Sequence, residues 1–195
     1  MPATIPQPKL LQDPGILWIA PIGTPEPTPT AAGGKFTDAL PAAWLLLGPT
    51  AEGSEWNDSI DTDTINVAEF LAAIKNVTTG ESTSLAFALA SWTLTNYRRA
   101  RNGGVAAIAP TGTGGAEVTS FEPPVPGTET RCMLMWESTD ATLRIMGRQC
   151  FQTGEISSSF KPGADYAQIP CTYSFEQPTT GLRPYKMWSA GTDRV

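Results

Sequence analysis

The chain has 195 residues and a formal net charge of -6; hydrophobic residues make up 41% of it and charged residues only 16%. That length favours one domain whose core needs neither metal nor disulfides, because a chain of this size buries roughly 70% of its unfolded surface. The acidic balance argues against a protein that grips phosphates with Lys and Arg, though not against one that DNA merely passes through. The low charged content, against about 25% in an ordinary domain, points to a surface that meets other protein.

There is no histidine, which excludes Ser-His-Asp triads, Cys-His dyads and histidine-ligated metals. Cys132, Cys150 and Cys171 are odd in number and well separated, so a disulfide framework is not expected and reduced, cytoplasmic folding is. The N-terminus lacks a basic region followed by an apolar run, and no stretch approaches the ~18 apolar residues of a membrane span. The sequons at Asn57 and Asn76 then read as chance matches.

In chain order, residues 1–15 are Pro-rich and read as an extended arm. Ile16–Ala20 reads as a short buried strand. Residues 21–34 alternate proline with other residues, which stiffens a chain without pairing it; they read as a surface loop or as an arm reaching a neighbouring subunit. Ala43–Gly48 is a second apolar strand, closed by a turn at Pro49–Gly53. Acids follow over 57–69, and residues 67–74 fit a helical turn or a strand equally.

Leu85–Ser91 alternates large and small residues, which predicts a strand with Leu85, Phe87 and Leu89 inward. A helix is predicted over Thr93–Asn102. Ser91 or Thr93 caps it, Arg98, Arg99 and Arg101 favour its C-terminal dipole, and Asn102-Gly103-Gly104 ends it. Beyond it the pattern is β: Val105–Ala109, then a hairpin of Cys132–Trp136 and Leu143–Phe151 around Ser138–Ala141. Ile156, Ser158 and Phe160 share one strand face, and Ile169, Cys171, Tyr173 and Phe175 share another. Loops are expected at 111–115, 123–127 and 161–165, and an extended tail over 178–195. Nine to eleven short strands with one helix predict a mainly β fold, a two-sheet β-sandwich or half-barrel with one flanking α-helix. The domain proper spans 36–177, between an N-terminal arm and strand over 1–35 and the tail.

Few residues carry chemistry. Thr111–Gly115 is Gly-rich but no Lys follows, so it is no phosphate loop. Asp58, Asp61 and Asp63 have the wrong spacing for a calcium loop and read as a solvated acidic loop. Trp18, Trp44, Trp92 and Trp136 lie in or beside apolar patterns and read as core. No catalysis, cofactor or metal is expected. The one basic concentration, Arg98, Arg99 and Arg101, stands against an acidic stretch with Glu52, Glu55, Asp58, Asp61 and Asp63. These eight residues are the candidate contacts between subunits.

Several segments, in this order, carry a resemblance: Trp44–Gly53, Ile60–Val67, the strand-helix unit Leu85–Asn102, Leu143–Phe151, Gly154–Ile156 and Ile169–Phe175. Their succession resembles the major tail tube proteins of long-tailed, non-contractile bacteriophages, siphophages of actinobacteria in particular. The likeness covers most of residues 40–176. It implies a fold shared with type VI secretion tubes, six subunits per ring, and stacked rings whose inner sheets form one barrel through which DNA is ejected. It also implies a virion location and partners among tail tip, tape-measure and terminator proteins. Two other readings stand beside it. One is a capsid decoration or head–tail connector protein. The other, of a different class, is a carbohydrate-binding β-sandwich module.

Overall fold

The computed structural model describes residues 14–65, 74–110, 117–160, 166–179 and 181–191. In chain order the strands are β1 Ile16–Pro21, β2 Ala31–Ala32, β3 Lys35–Phe36, β4 Leu45–Leu46, β5 Thr50–Ile65 and β6 Lys75–Leu89. The helix α1, Leu94–Ala100, is followed by β7 Val105–Pro110, β8 Glu117–Glu122, β9 Cys132–Glu137, β10 Leu143–Gln152, β11 Ile169–Phe175 and β12 Tyr185–Ser189. The fold is mainly β with one helix, as expected. Rather than two sheets of a sandwich, the main body is one eight-stranded antiparallel sheet in the order β4-β1-β9-β10-β11-β6-β5, with β12 also on β10. Two small ribbons, β2-β3 and β7-β8, stand apart from it.

This sheet curls until its ends nearly meet. Leu46 of β4 pairs with Trp18, and Thr50 of β5 pairs with Leu89. Four residues of chain reach at most roughly 14 Å, whereas the ends of a flat seven-strand path lie roughly 29 Å apart. The two ends therefore come together at the corner Leu47–Thr50. One bend sits in β10, where the register with β9 shifts between Gly147 and Cys150. Gly147 has no Cβ for a reason: one placed there would lie 2.4 Å from the Cys150 sulfur and 3.0 Å from the Phe175 ring.

The curl encloses the main core. Leu17, Ile19, Leu134 and Trp136 from β1 and β9 join Leu85, Phe87, Leu89, Ile169, Cys171, Tyr173 and Phe175 from β6 and β11. The Phe87 and Tyr173 rings stack at 5.9 Å. A second cluster, Ala20, Trp44, Met133, Met135 and Met146, lies together with Trp18, Leu40 and Trp188. β9 thus has four consecutive buried residues, the mark of a strand covered on both sides.

The Pro-rich run after β1 is bound to its own subunit. Trp44 Nε1 donates to the Pro25 carbonyl at 3.2 Å, and Arg148 Nε pairs with Glu26 at 2.6 Å. Farther along, the buried guanidinium of Arg144 pairs with Glu137 and with Asp38 at 2.7 Å, and lies 4.4 Å from the centre of the Phe36 ring. Residues 24–30 of this excursion have no regular structure, as expected of a loop, and these contacts fasten it to its own subunit.

The helix forms where expected. Thr93 caps it by accepting from the Asn96 N–H at 3.2 Å, and the left-handed Asn102 and Gly103 follow its end. Other expectations shift. The apolar strand at 43–48 shrinks to two residues, with Leu45 and Leu46 exposed between buried Trp44 and Leu47. The turn expected at Pro49–Gly53 is a bulge inside β5, where residues 51–53 intervene between the partners of Leu89 and Phe87. Residues 156–160 form no strand, and Phe160 is 71% exposed. Residues 185–189 pair with β10 as β12. The expectations for 67–73, 111–115 and 161–165, and the parts of the expected arm and tail at 1–13 and 192–195, fall outside the described residues.

Candidate assembly surface

The acidic stretch is not a loop. It lies on β5, which pairs with β6 from Thr50↔Leu89 out to Ile65↔Lys75; beyond Ser84, where pairing with β11 ends, the pair continues as a two-stranded ribbon. The part near the body is anchored because Trp56 opposes Leu85 and packs edge-on against Phe175 and Tyr185, both at 5.2 Å. From Asn57 to Ile65 every residue of β5 is exposed. At about 3.3 Å per residue, that section extends ~25 Å.

Side chains of a strand alternate between faces, so the five candidate acids separate. Asp58 shares the face of Trp56. Its carboxylate accepts from the Thr83 hydroxyl at 2.9 Å and from the Tyr185 hydroxyl at 3.2 Å. Burial first, then the charge of Asp58, raises the Tyr185 pKa. Asp61 and Asp63 share the opposite face with Glu55, so the three aspartates do not converge on one point. Glu52 and Glu55 lie by the body, beside Ala86, Ala88 and Thr172 on a shallow depression. Between Asp61 and Thr62 the register slips, leaving Thr79 unpaired on β6; such a bulge twists the ribbon beyond it. None of Glu52, Glu55, Asp58, Asp61 and Asp63 makes an ion pair among the described residues.

β5 pairs only with β6 among the described residues. Its other edge therefore presents the N–H and C=O groups of about every second residue along 16 positions. Native proteins rarely leave so long an edge bare, because it is a template for another strand.

The basic cluster gathers at the end of α1, away from the acids in sequence. Arg98 and Arg99 line a cavity of about 290 Å³ with Asn102, Gly104, Thr130 and Ile19. Arg99 donates to the Asn96 side chain at 3.2 Å, and its own carbonyl accepts from the buried Tyr173 hydroxyl at 3.0 Å. Burial, reinforced by the neighbouring Arg98 charge, lowers the Arg99 pKa from its ordinary value. Arg101 is exposed just outside. No carboxylate pairs with Arg98, Arg99 or Arg101 among the described residues. Within one subunit, then, the candidate acids and bases stay unpaired with each other.

All three cysteines are free thiols. Burial pushes Cys132 and Cys171 up to about 12 and Cys150 well up, so they stay protonated at neutral pH. Trp92 departs from its expected core role. It is 37% exposed and meets Phe160 edge-on at 5.4 Å and Tyr97 at 5.6 Å. The sequence did not disclose the bare edge, nor the link from Asp58 to Tyr185, 127 residues apart. The strand signal was there in part, since Thr and Ile recur through 60–65, but the acids among them mask it.

No family model matches the chain, and no curated protein matches it.

Proposed function

We propose that this chain is a structural subunit of a virus particle, the tail tube protein of a long-tailed bacteriophage. Six copies close into a ring, rings stack into a tube, and DNA leaves through the lumen. The observation that carries this reading is β5, a 16-residue edge strand whose outer part extends ~25 Å without burying a side chain. An isolated two-stranded ribbon is marginal in water. Its length and free edge make sense where another copy supplies the missing contacts. A strand edge joined to the next subunit is a head-to-tail contact, and such contacts close into rings when the rotation permits.

The face of β5, β6 and β11 that points away from the core suits a lumen wall. It presents Ser84, Ala86, Ala88, Thr172 and Ser174, with Glu52 and Glu55 at its margin. Small side chains leave a wide bore, and carboxylates repel phosphate so that DNA slides. The tube needs no catalyst and no cofactor.

The test is negative-stain electron microscopy with light scattering on purified full-length chain, alone and with tail tip and tape-measure proteins. Hollow tubes with sixfold end views support the reading. A chain that remains monomeric with those partners present overturns it.

A further inference from the structure

Two charged surfaces of this molecule lack counterparts. The first is on the outer ribbon. Asp61 and Asp63 lie two residues apart on one strand face, both exposed and both without an ion pair among the described residues. Lys75, the cation of the same ribbon, pairs with Ile65 across the ladder and makes no ion pair with either acid. Thr79, opposite, is bulged out, which bends this section away from the line of the body.

The second is the cavity at the end of α1. It holds two guanidiniums, Arg98 and Arg99, with side chains partly withdrawn from water and no ion pair among the described residues. A half-buried guanidinium is costly until an anion meets it, and a carboxylate meets it best through paired N–H···O bonds. Burial lowers the Arg99 pKa; the neighbouring Tyr173 opposes that shift and Arg98 adds to it. The chain as a whole has net charge -6, so copies repel at long range. A local meeting of opposite charges is what overcomes that repulsion and sets the docking register.

We propose that the ribbon section bearing Asp61 and Asp63 docks in a second copy of this chain, at the cavity where Arg98 and Arg99 lie. The proposal rests on the self-assembly reading above and adds which surfaces meet. It leaves Asp58 out, because that carboxylate already serves Thr83 and Tyr185. It also leaves Glu52 and Glu55 to the body face.

The test is a charge exchange in full-length chain. D61R with D63R in one variant, and R98E in another, each raise the concentration needed for assembly at least tenfold, read by light scattering and electron microscopy. A chain carrying only D63R with R98E exchanges one pair and leaves Asp61 to meet Arg99, so opposite charges face each other again and assembly recovers to within about threefold of wild type. Circular dichroism melting of each variant checks the fold, and the ribbon variant, altered only at exposed positions, melts like wild type. If either single-surface variant assembles as wild type does, or the combined one stays as defective, this docking is wrong while the tube reading survives. If wild type itself never assembles with its initiators, both fall together.

Discussion

The strand β6 is two strands in one. From Leu85 to Leu89 it alternates buried Leu85, Phe87 and Leu89 with small residues, each large side chain 6% exposed or less. From Lys75 to Thr79 every residue is exposed. The backbone pairing with β5 is the same kind in both halves. Hydrogen bonds across the ladder therefore do not distinguish them, and burial does. Each large side chain in the inner half contributes roughly 1.5–3 kcal/mol by leaving water. The outer half gains almost nothing of that sort. One half holds the subunit together, and the other is available for something outside it.

The largest loss of stability is expected in the body, where burial and charge combine. Arg144 is 3% exposed and satisfies two carboxylates, Glu137 and Asp38. Replacing it with Met strands both acids in a poorly hydrated place. The expected loss is about 3–5 kcal/mol of unfolding free energy, read as a lowered urea midpoint. No such substitution in the outer ribbon approaches that size, because nothing there is buried. A midpoint within error of wild type would show that this ion triad does not fasten the 30–38 excursion to β10.

A second effect is confined to the body and set by pH. Unfolded thiols ionise near 9, while burial holds folded Cys132 and Cys171 at about 12 and moves Cys150 well up. Above pH 9 the folded chain therefore keeps protons that the unfolded chain has lost. Stability is full below that pH and declines as pH rises toward 12, on the order of 1 kcal/mol per pH unit for each thiol. Melting temperatures at pH 7, 8 and 10.5 should be level over the first step and fall over the second. C171A should fall less steeply. A level curve to pH 10.5 would mean the thiols are far less enclosed than their packing indicates.

The inner half was legible in the sequence and the outer half was not, for one physical reason. Strict alternation at Leu85–Leu89 and at Ile169–Phe175 is the imprint of a core on a strand, and the cap and arginines of α1 mark a helix independently of packing. The outer ribbon has no core to imprint it, so Asn57–Ile65 looked like a solvated loop although it is a strand. Pro49–Gly53 carries turn chemistry, but the neighbouring β6 turns it into a bulge. β12 is short and half-exposed and pairs with β10 through contacts some 40 residues apart, which no local pattern announces. Of the candidate contacts, the identity of the charged residues was legible. Their division between two faces of β5 was not, because it depends on knowing that they form a strand at all.

The smallest expected effect on stability is also the most telling. Removing residues 59–82 and joining Asp58 to Thr83 through Asn-Gly shortens the ribbon at a paired position with a turn suited to a hairpin. The anchor of Trp56 on Phe175 and Tyr185 stays intact, as do the bonds of Asp58. The deleted section buries none of its described side chains, so unfolding free energy should change by less than about 1 kcal/mol. Assembly, followed by light scattering, should vanish. The two readouts separate because only one of them depends on a neighbour. A truncated chain that still forms tubes would put the contact elsewhere on the free edge of β5. One that melts far below wild type would mean the ribbon supports its own subunit, and the contrast between the two halves of β6 would then lose its meaning.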